Sequence, residues 1–260
     1  MKIDLKNSQP YQRFRRNPLA VGGLCVLTFF VILALIAPII APYDPDAIIG
    51  VQTMGPTLPH LFGTDEIGRD IFSRCLYGAR ISLSVGLIAV VISILVGTIL
   101  GAIAGYAGGL TDSAIMRFVD VMLAFPSIFL ILAIQAMLTP NIINVMIVIG
   151  LTSWMGVARL VRGEFLSLKE RDFVEAARAL AVPNSRIIFR HILPNAIAPI
   201  AVAATLGVAG AILTESALSF LGLGVQPPLA SWGSMLTDSQ AYMRDYWWLA
   251  FFPGALILTT

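Results

Sequence analysis

The sequence predicts an all-α integral membrane protein of six spans, and three observations lead there. Charged residues make up 12% of the 260-residue chain, about half the roughly 25% usual in soluble domains. Apolar residues reach 57% and mean hydropathy is +0.85, more apolar surface than a soluble chain of this length can hide. The arginines and lysines also gather between alternate apolar runs, as the positive-inside rule requires of a multi-pass protein.

A span needs about 20 apolar residues, each adding ~1.5 Å across a ~30 Å hydrocarbon core. The first candidate, Leu19–Ala41, follows the basic stretch "RFRRN". The second, Ile81–Tyr106, and the third, Ser113–Leu138, are separated by the short turn "AGGLTD". Asn141–Val161 is the fourth, after "TPN", and Ala196–Thr214 the fifth. A sixth starts near Trp247 and runs to Thr260, too short to cross, so the chain is expected to stop inside its last span. Gly97, Gly101 and Gly105 form a small-residue ridge on the second span, at the spacing that lets another helix approach closely.

With the N-terminus inside, Lys2, Lys6, Arg13, Arg15, Arg16, Arg117, Arg159, Arg162, Lys169, Arg171, Arg178, Arg186 and Arg190 fall on the cytoplasmic side. Only Arg69, Arg74, Arg80 and Arg244 fall outside. Thirteen against four sets the orientation, and Trp247–Trp248 with Tyr242 and Tyr246 suit an outer aromatic belt. Cys25 and Cys75 lie at different depths and are expected to be free thiols. "GGLC" at 22–25 is a poor lipoprotein cleavage site because Leu24 is too large, and the first run is too long for a signal-peptide core, so it is expected to remain as an anchor.

Several chemistries are excluded. The three lysines, Lys2, Lys6 and Lys169, never follow glycine, so no phosphate-cradling loop ending in Gly-Lys-Ser/Thr exists. Any ATP driving this protein must be hydrolysed by another chain. His60 and His191 fall on opposite sides and cannot build a metal cluster, and no nucleophile–base pair suggests an intramembrane enzyme. Arg117 and Asp120, one helical turn apart, are expected to pair structurally. Glu215 is a second ambiguous ionisable group. An ion-driven secondary transporter would show more intramembrane carboxylates than these.

The stretch "DFVEAARALAVPNSRIIFRHILPN", 172–195, is polar and broken by proline between two greasy runs. Helical spacing over Asp172–Val182 puts Phe173, Ala176, Ala177 and Leu180 on one face and Asp172, Glu175 and Arg178 on the other. Pro183 stops this helix, Asn184 or Ser185 caps the next, and Pro194-Asn195 marks the approach to the fifth span. A lipid-lying helix has a broad Trp/Phe/Leu face and a lysine-rich opposite face. Small alanines and mixed charge favour docking in a groove of a partner protein instead.

"EAARALAVPNSRIIFRHILPN" resembles the cytoplasmic coupling loop of permeases in binding-protein-dependent ABC importers, with Glu175, Ala176, Ala177, Leu193 and Pro194 matching and Ala181 where that family has glycine. "FGTDEIGRDIFSRCLYGARISL" (62–83), "MRFVDVMLAFPS" (116–127) and "ESALSFLGLGVQPPLASWGSML" (215–236) are similar to the dipeptide/oligopeptide/nickel branch, and "NPLAVGG" (17–23) to its C-type subunit. The resemblance implies a type I ABC importer permease fold in a bacterial inner membrane. The implied divisions are a cytoplasmic segment 1–18, a first transmembrane helix 19–41, an extracytoplasmic segment 42–80 and a permease domain 81–260. That domain would carry a coupling loop 164–195 and an outer loop 215–246. It further implies that Asp172, Phe173, Glu175, Ala176, Ala177, Arg178, Leu180 and Ala181 grip a cytoplasmic ATPase. Expected partners are a homologous permease subunit in a heterodimer, two ATPase subunits, an extracytoplasmic solute-binding protein, lipid and a peptide substrate, with no nucleic acid. No cofactor is expected on this chain, since ATP and magnesium would sit on the ATPase subunits. Nickel or another small solute is the alternative cargo, and an ion-coupled secondary transporter the remote one.

Overall fold

The computed structural model describes residues 18–260. The N-terminal segment 1–18, with its five basic residues, therefore lies outside the described residues except for Pro18. Helices account for nearly all regular structure: α1 (Pro18–Ile40), α2 (Ile71–Ala107), α3 (Gly109–Ala124), α4 (Ser127–Met137), α5 (Ile142–Lys169), α6 (Asp172–Ala179), α7 (Asn184–Ile187), a π turn (Ile188–Ile192), α8 (Leu193–Phe220), α9 (Trp232–Ser239) and α10 (Trp248–Thr259). Among the described residues extended pairing is limited to one bridge, Thr64 to Asp70.

Among the described residues four helices are long and apolar enough to cross a membrane: Val21–Ile40 within α1, α2, α5 and the continuous run Asn184–Phe220. A fifth span results if α3 and α4, bent by 84° at their junction, count together, and α10 is a shorter apolar helix. The expected third span is thus broken rather than straight. Pro126 cannot donate a helical backbone hydrogen bond, and Phe125 before it is extended at ψ 130°. The second span begins ten residues earlier than expected because Asp70 caps it, its carboxylate accepting from the Ser73 N–H at 2.8 Å and the Ser73 hydroxyl at 2.7 Å.

The chain divides into two compact units. One comprises residues up to Ile81 together with Pro228–Thr260, and the other Ser82–Pro227. In the first unit, Ile71, Cys75, Ala230, Met235 and Leu249 form a small core. Trp232 is fully buried and its indole N–H donates to the Cys75 carbonyl at 3.0 Å. A reciprocal Ser231/Ser234 capping box starts α9. In the same unit Asp65 holds Arg69 at 2.6 Å, and Asp238 lies 3.8 Å from Arg69 and 3.7 Å from Arg74. Burial holds the Glu66 and Asp238 carboxyls above their ordinary pKa. Cys25 is exposed and Cys75 buried, both as free thiols.

The second unit packs α5 against α2, α4 and α8. Its main core gathers Val85, Ala89, Ile131, Val145, Ile149, Ala211 and Leu218. The glycine ridge of α2 lies directly on α5. A Cβ added at Gly97 would come 2.6 Å from Val157 Cβ, one at Gly101 2.5 Å from the Ala158 carbonyl oxygen, and one at Gly105 2.7 Å from Phe165 Cβ. Such backbone-to-backbone approach needs glycine, because any side chain would force the helices apart.

The fifth span is longer than expected, running from Asn184 to Phe220 without a stop at Pro194. Pro194 has no N–H to give the Arg190 carbonyl, and the chain absorbs the loss by widening into the π turn just before it. The Leu193 N–H then reaches Ile188, and the Asn195 side-chain amide donates to the His191 carbonyl at 2.6 Å.

Candidate coupling surface and span charges

At one end of the second unit the chain leaves α5 at Lys169 and folds into the α6–α7 hairpin before returning in α8. Asp172 and Glu175 occupy the first turn of α6 and Arg178 its last, each at the end whose partial charge it complements. The helix buries Val174 and Ala177 among Val161, Phe165, Ile187, Ile192 and Ala196. Ala177, expected on an outward docking face, therefore points into this chain's own core and is 6% exposed. The expected apolar face is misplaced by one residue: Val174, fully buried in the same core as Phe165, sets the inward direction. Asp172, Phe173, Glu175, Ala176, Arg178, Leu180 and Ala181 remain exposed.

The helix is also shorter than the expected Asp172–Val182. It ends in a Schellman motif, with the Ala181 N–H donating to the Arg178 carbonyl at 2.9 Å and the Val182 N–H to the Ala177 carbonyl at 3.1 Å. That closure puts Ala181 at φ +54°, in the left-handed region that favours glycine. The same closure at the end of α8 uses Gly222 at φ +79°.

Two ties anchor the hairpin. The Lys169 ammonium donates to the Tyr106 carbonyl at 2.8 Å, neutralising the exposed C-terminal end of α2, and the Tyr106 hydroxyl donates to the Asn184 side-chain oxygen at 2.7 Å. Sequence spacing cannot reveal either, since the partners are 63 and 78 residues apart.

The charges on the spans pair between helices. Arg162 on α5 grips Asp112 of α3 through Nε at 2.5 Å and Nη2 at 2.7 Å, a fork-to-carboxylate geometry. Asp120 does not pair with Arg117. It accepts from Arg159 of α5 at 2.5 Å, because α5 crosses α3 there and presents a guanidinium from outside the helix. Arg117, exposed on α3, makes no hydrogen bond or ion pair among the described residues. Glu215 is buried and accepts from the Ser219 hydroxyl at 2.7 Å.

Comparisons with known proteins agree with this architecture. Residues 97–260 match the family described as the binding-protein-dependent transport system inner membrane component. Residues 11–56 match the N-terminal transmembrane domain of oligopeptide transport permease C. The chain is 45% identical to a dipeptide transport system permease protein DppC of Alkalihalophilus pseudofirmus, over 96% of this chain and 83% of the relative. It is 44% identical to an oligopeptide transport system permease protein OppC of Haemophilus influenzae, over 96% and 81%. With a glutathione transport system permease protein GsiD of Escherichia coli it shares 42%, over 96% and 83%. Among solved structures, an inward-facing form of the MetNI methionine ABC transporter superposes with a TM-score of 0.53 at 13% identity, covering 70% of this chain and 94% of that one, a likeness of fold alone. With matched segments covering most of its length and four helices of span length among the described residues, the chain belongs to the binding-protein-dependent ABC importer permeases of the bacterial inner membrane: a multi-pass transport subunit rather than an enzyme, of a family that works with ATPase and binding-protein partners.

Proposed function

We propose that this chain forms half of a pathway for di- or oligopeptides and works by alternating access, driven by separate ATPase subunits that grip α6. The relatives' names support the cargo, being dipeptide, oligopeptide and glutathione permeases. The other half of the pathway is a homologous permease subunit. Residues 164–195 face the cytoplasm as the coupling loop of the 81–260 permease domain, and 42–80 and 215–246 face outward toward the solute-binding protein.

One observation carries the coupling role. α6 is fastened to the core through Val174 and Ala177 while Asp172, Phe173, Glu175, Ala176, Arg178 and Leu180 stand exposed. A helix held on one side and presenting apolar and charged groups on the other is a rigid handle. A push on it reaches α8 through Ile187, Ile192 and Ala196, the residues its own buried face touches. A near-complete swing between two states requires ATP to favour one by ~5.5 kcal/mol.

The test is Glu175→Lys in the assembled transporter. The variant is expected in the membrane at the wild-type level, with peptide uptake reduced more than about tenfold and binding-protein-stimulated ATP hydrolysis lost, because a reversed charge in a docked, desolvated contact is strongly disfavoured. Uptake at the wild-type rate would overturn the coupling role of this face.

A further inference from the structure

Between Asp46 and Asp65 the first unit carries no Asp, Glu, Lys or Arg. Loop 55–63, inside that stretch, folds against the start of α10. A Cβ added at Gly55 would lie 3.6 Å from the Trp248 ring and one at Gly63 3.0 Å, so both feet of the loop rest on that indole. Phe62 stacks on Phe252 with ring centroids 3.9 Å apart. The loop nevertheless shows two large apolar side chains, Leu58 at 94% exposure and Leu61 at 51%.

Depth is the first sign of what covers them. Phe252 lies beyond Trp248 by one turn of α10, ~6 Å along the axis. Phe62 is therefore held one turn inside an apolar helix that opens on Trp247 and Trp248, with Tyr242 and Tyr246 just before, residue types that settle at headgroup level. Trp247 and Phe251 are exposed too, and the apolar surfaces of loop and helix adjoin through Phe62 and Phe252.

The backbone is the second sign. Pro56 and Pro59 have no N–H to leave unmet. The Thr57 and Gly63 N–H groups both donate to the His60 carbonyl, at 2.8 and 2.9 Å. The His60 N–H donates to the Thr57 hydroxyl at 3.3 Å, and its ring Nδ1 lies 3.0 Å from Asp70. Such internal pairing suits a segment entering lipid, where unmet backbone groups are costly. A binding protein that docks and leaves would bare the leucines to water in every cycle, whereas lipid covers them throughout.

We propose that loop 55–63 is seated in the outer leaflet, with Leu58 and Leu61 at the boundary of headgroups and acyl chains, and so anchors the first unit to the membrane beside α10. The choice of leaflet rests on the reading above that 42–80 face outward. Interfacial segments enter by ~5–10 Å, which matches the one-turn depth of Phe62. The occupant is phospholipid of any headgroup, since a loop without Lys or Arg has nothing to select an anionic one.

The experiment uses the complete transporter, this chain with its partner permease, ATPases and binding protein, in lipid nanodiscs. Leu58→Cys is made in a Cys25→Ala background, with the buried Cys75 left in place, and labelled with a nitrobenzoxadiazole fluorophore. Asp44→Cys, at an exposed position of the same outer segment, is the reference. At position 58 a phospholipid spin-labelled near the top of its acyl chain is expected to quench at least about threefold more than aqueous iodide, with the order reversed at position 44. Iodide quenching at 58 equal to that at 44 would mean the loop stands in water, and would overturn the proposal. Shielding from both quenchers would mean that the partner permease or the binding protein covers it, and would overturn it equally. If Leu58→Cys does not assemble, Leu61→Cys gives the same readout. Sidedness is read separately, by a membrane-impermeant thiol reagent on Asp44→Cys in spheroplasts. Labelling only after the membrane is broken would overturn the outward reading and the assigned leaflet, while the quenching ratio would still tell lipid from water.

Discussion

Ala181 illustrates how much one dihedral angle can explain. The Schellman closure of α6 requires a left-handed residue, and a side chain there is strained by about 1 kcal/mol relative to glycine. Ala181→Gly should therefore raise the thermal unfolding midpoint of the detergent-purified chain by about 2 °C, whereas Gly222→Ala, at the equivalent position of α8, should lower it. An unchanged or lowered midpoint for Ala181→Gly would mean the strain is not there. The departure from the family's glycine was visible in the sequence, but its consequence was not, because the sign of φ depends on where the helix stops. Asp120 makes the same point. A turn's spacing suggested Arg117, and the real partner, Arg159, is 39 residues away on a crossing helix.

Among the elements, the α2–α5 contact depends most narrowly on residue size. Gly101→Ala places a Cβ 2.5 Å from the Ala158 carbonyl oxygen, backbone that cannot swing aside, and should destabilise the chain by about 1–3 kcal/mol. Gly156→Ala, on the open side of α5, should meet no clash and stabilise the helix by the propensity difference alone, about 0.8–1.0 kcal/mol in favour of alanine. Comparing the two variants' unfolding midpoints in detergent checks this, and equal effects would contradict the packing. The spacing of the ridge was legible because small residues four apart must share a helix face. Which helix it meets was not legible. Nor were the 84° break between α3 and α4 and the π turn ahead of α8. Proline signals that a helical hydrogen bond is missing, but the neighbours decide between a stop, a bend and a widened turn.

At the scale of the whole molecule, this is a machine without its own motor. No lysine follows a glycine in the chain, so no phosphate-binding loop can form. The purified chain in liposomes should hydrolyse no ATP above background, and hydrolysis should emerge only when ATPase subunits are added; turnover by the chain alone would refute the division of labour. Membrane residence, the spans' approximate positions, the family and the interrupting loop all followed from the amino-acid sequence by itself. Hydrophobic runs, charge asymmetry and proline act locally, over one span or one turn. The inward direction of Val174 and Ala177, the partner of Asp120 and the helix that the glycine ridge meets were decided only in three dimensions. Each depends on the rotation of one helix against another, and rotation is set by how side chains from distant segments fill shared space.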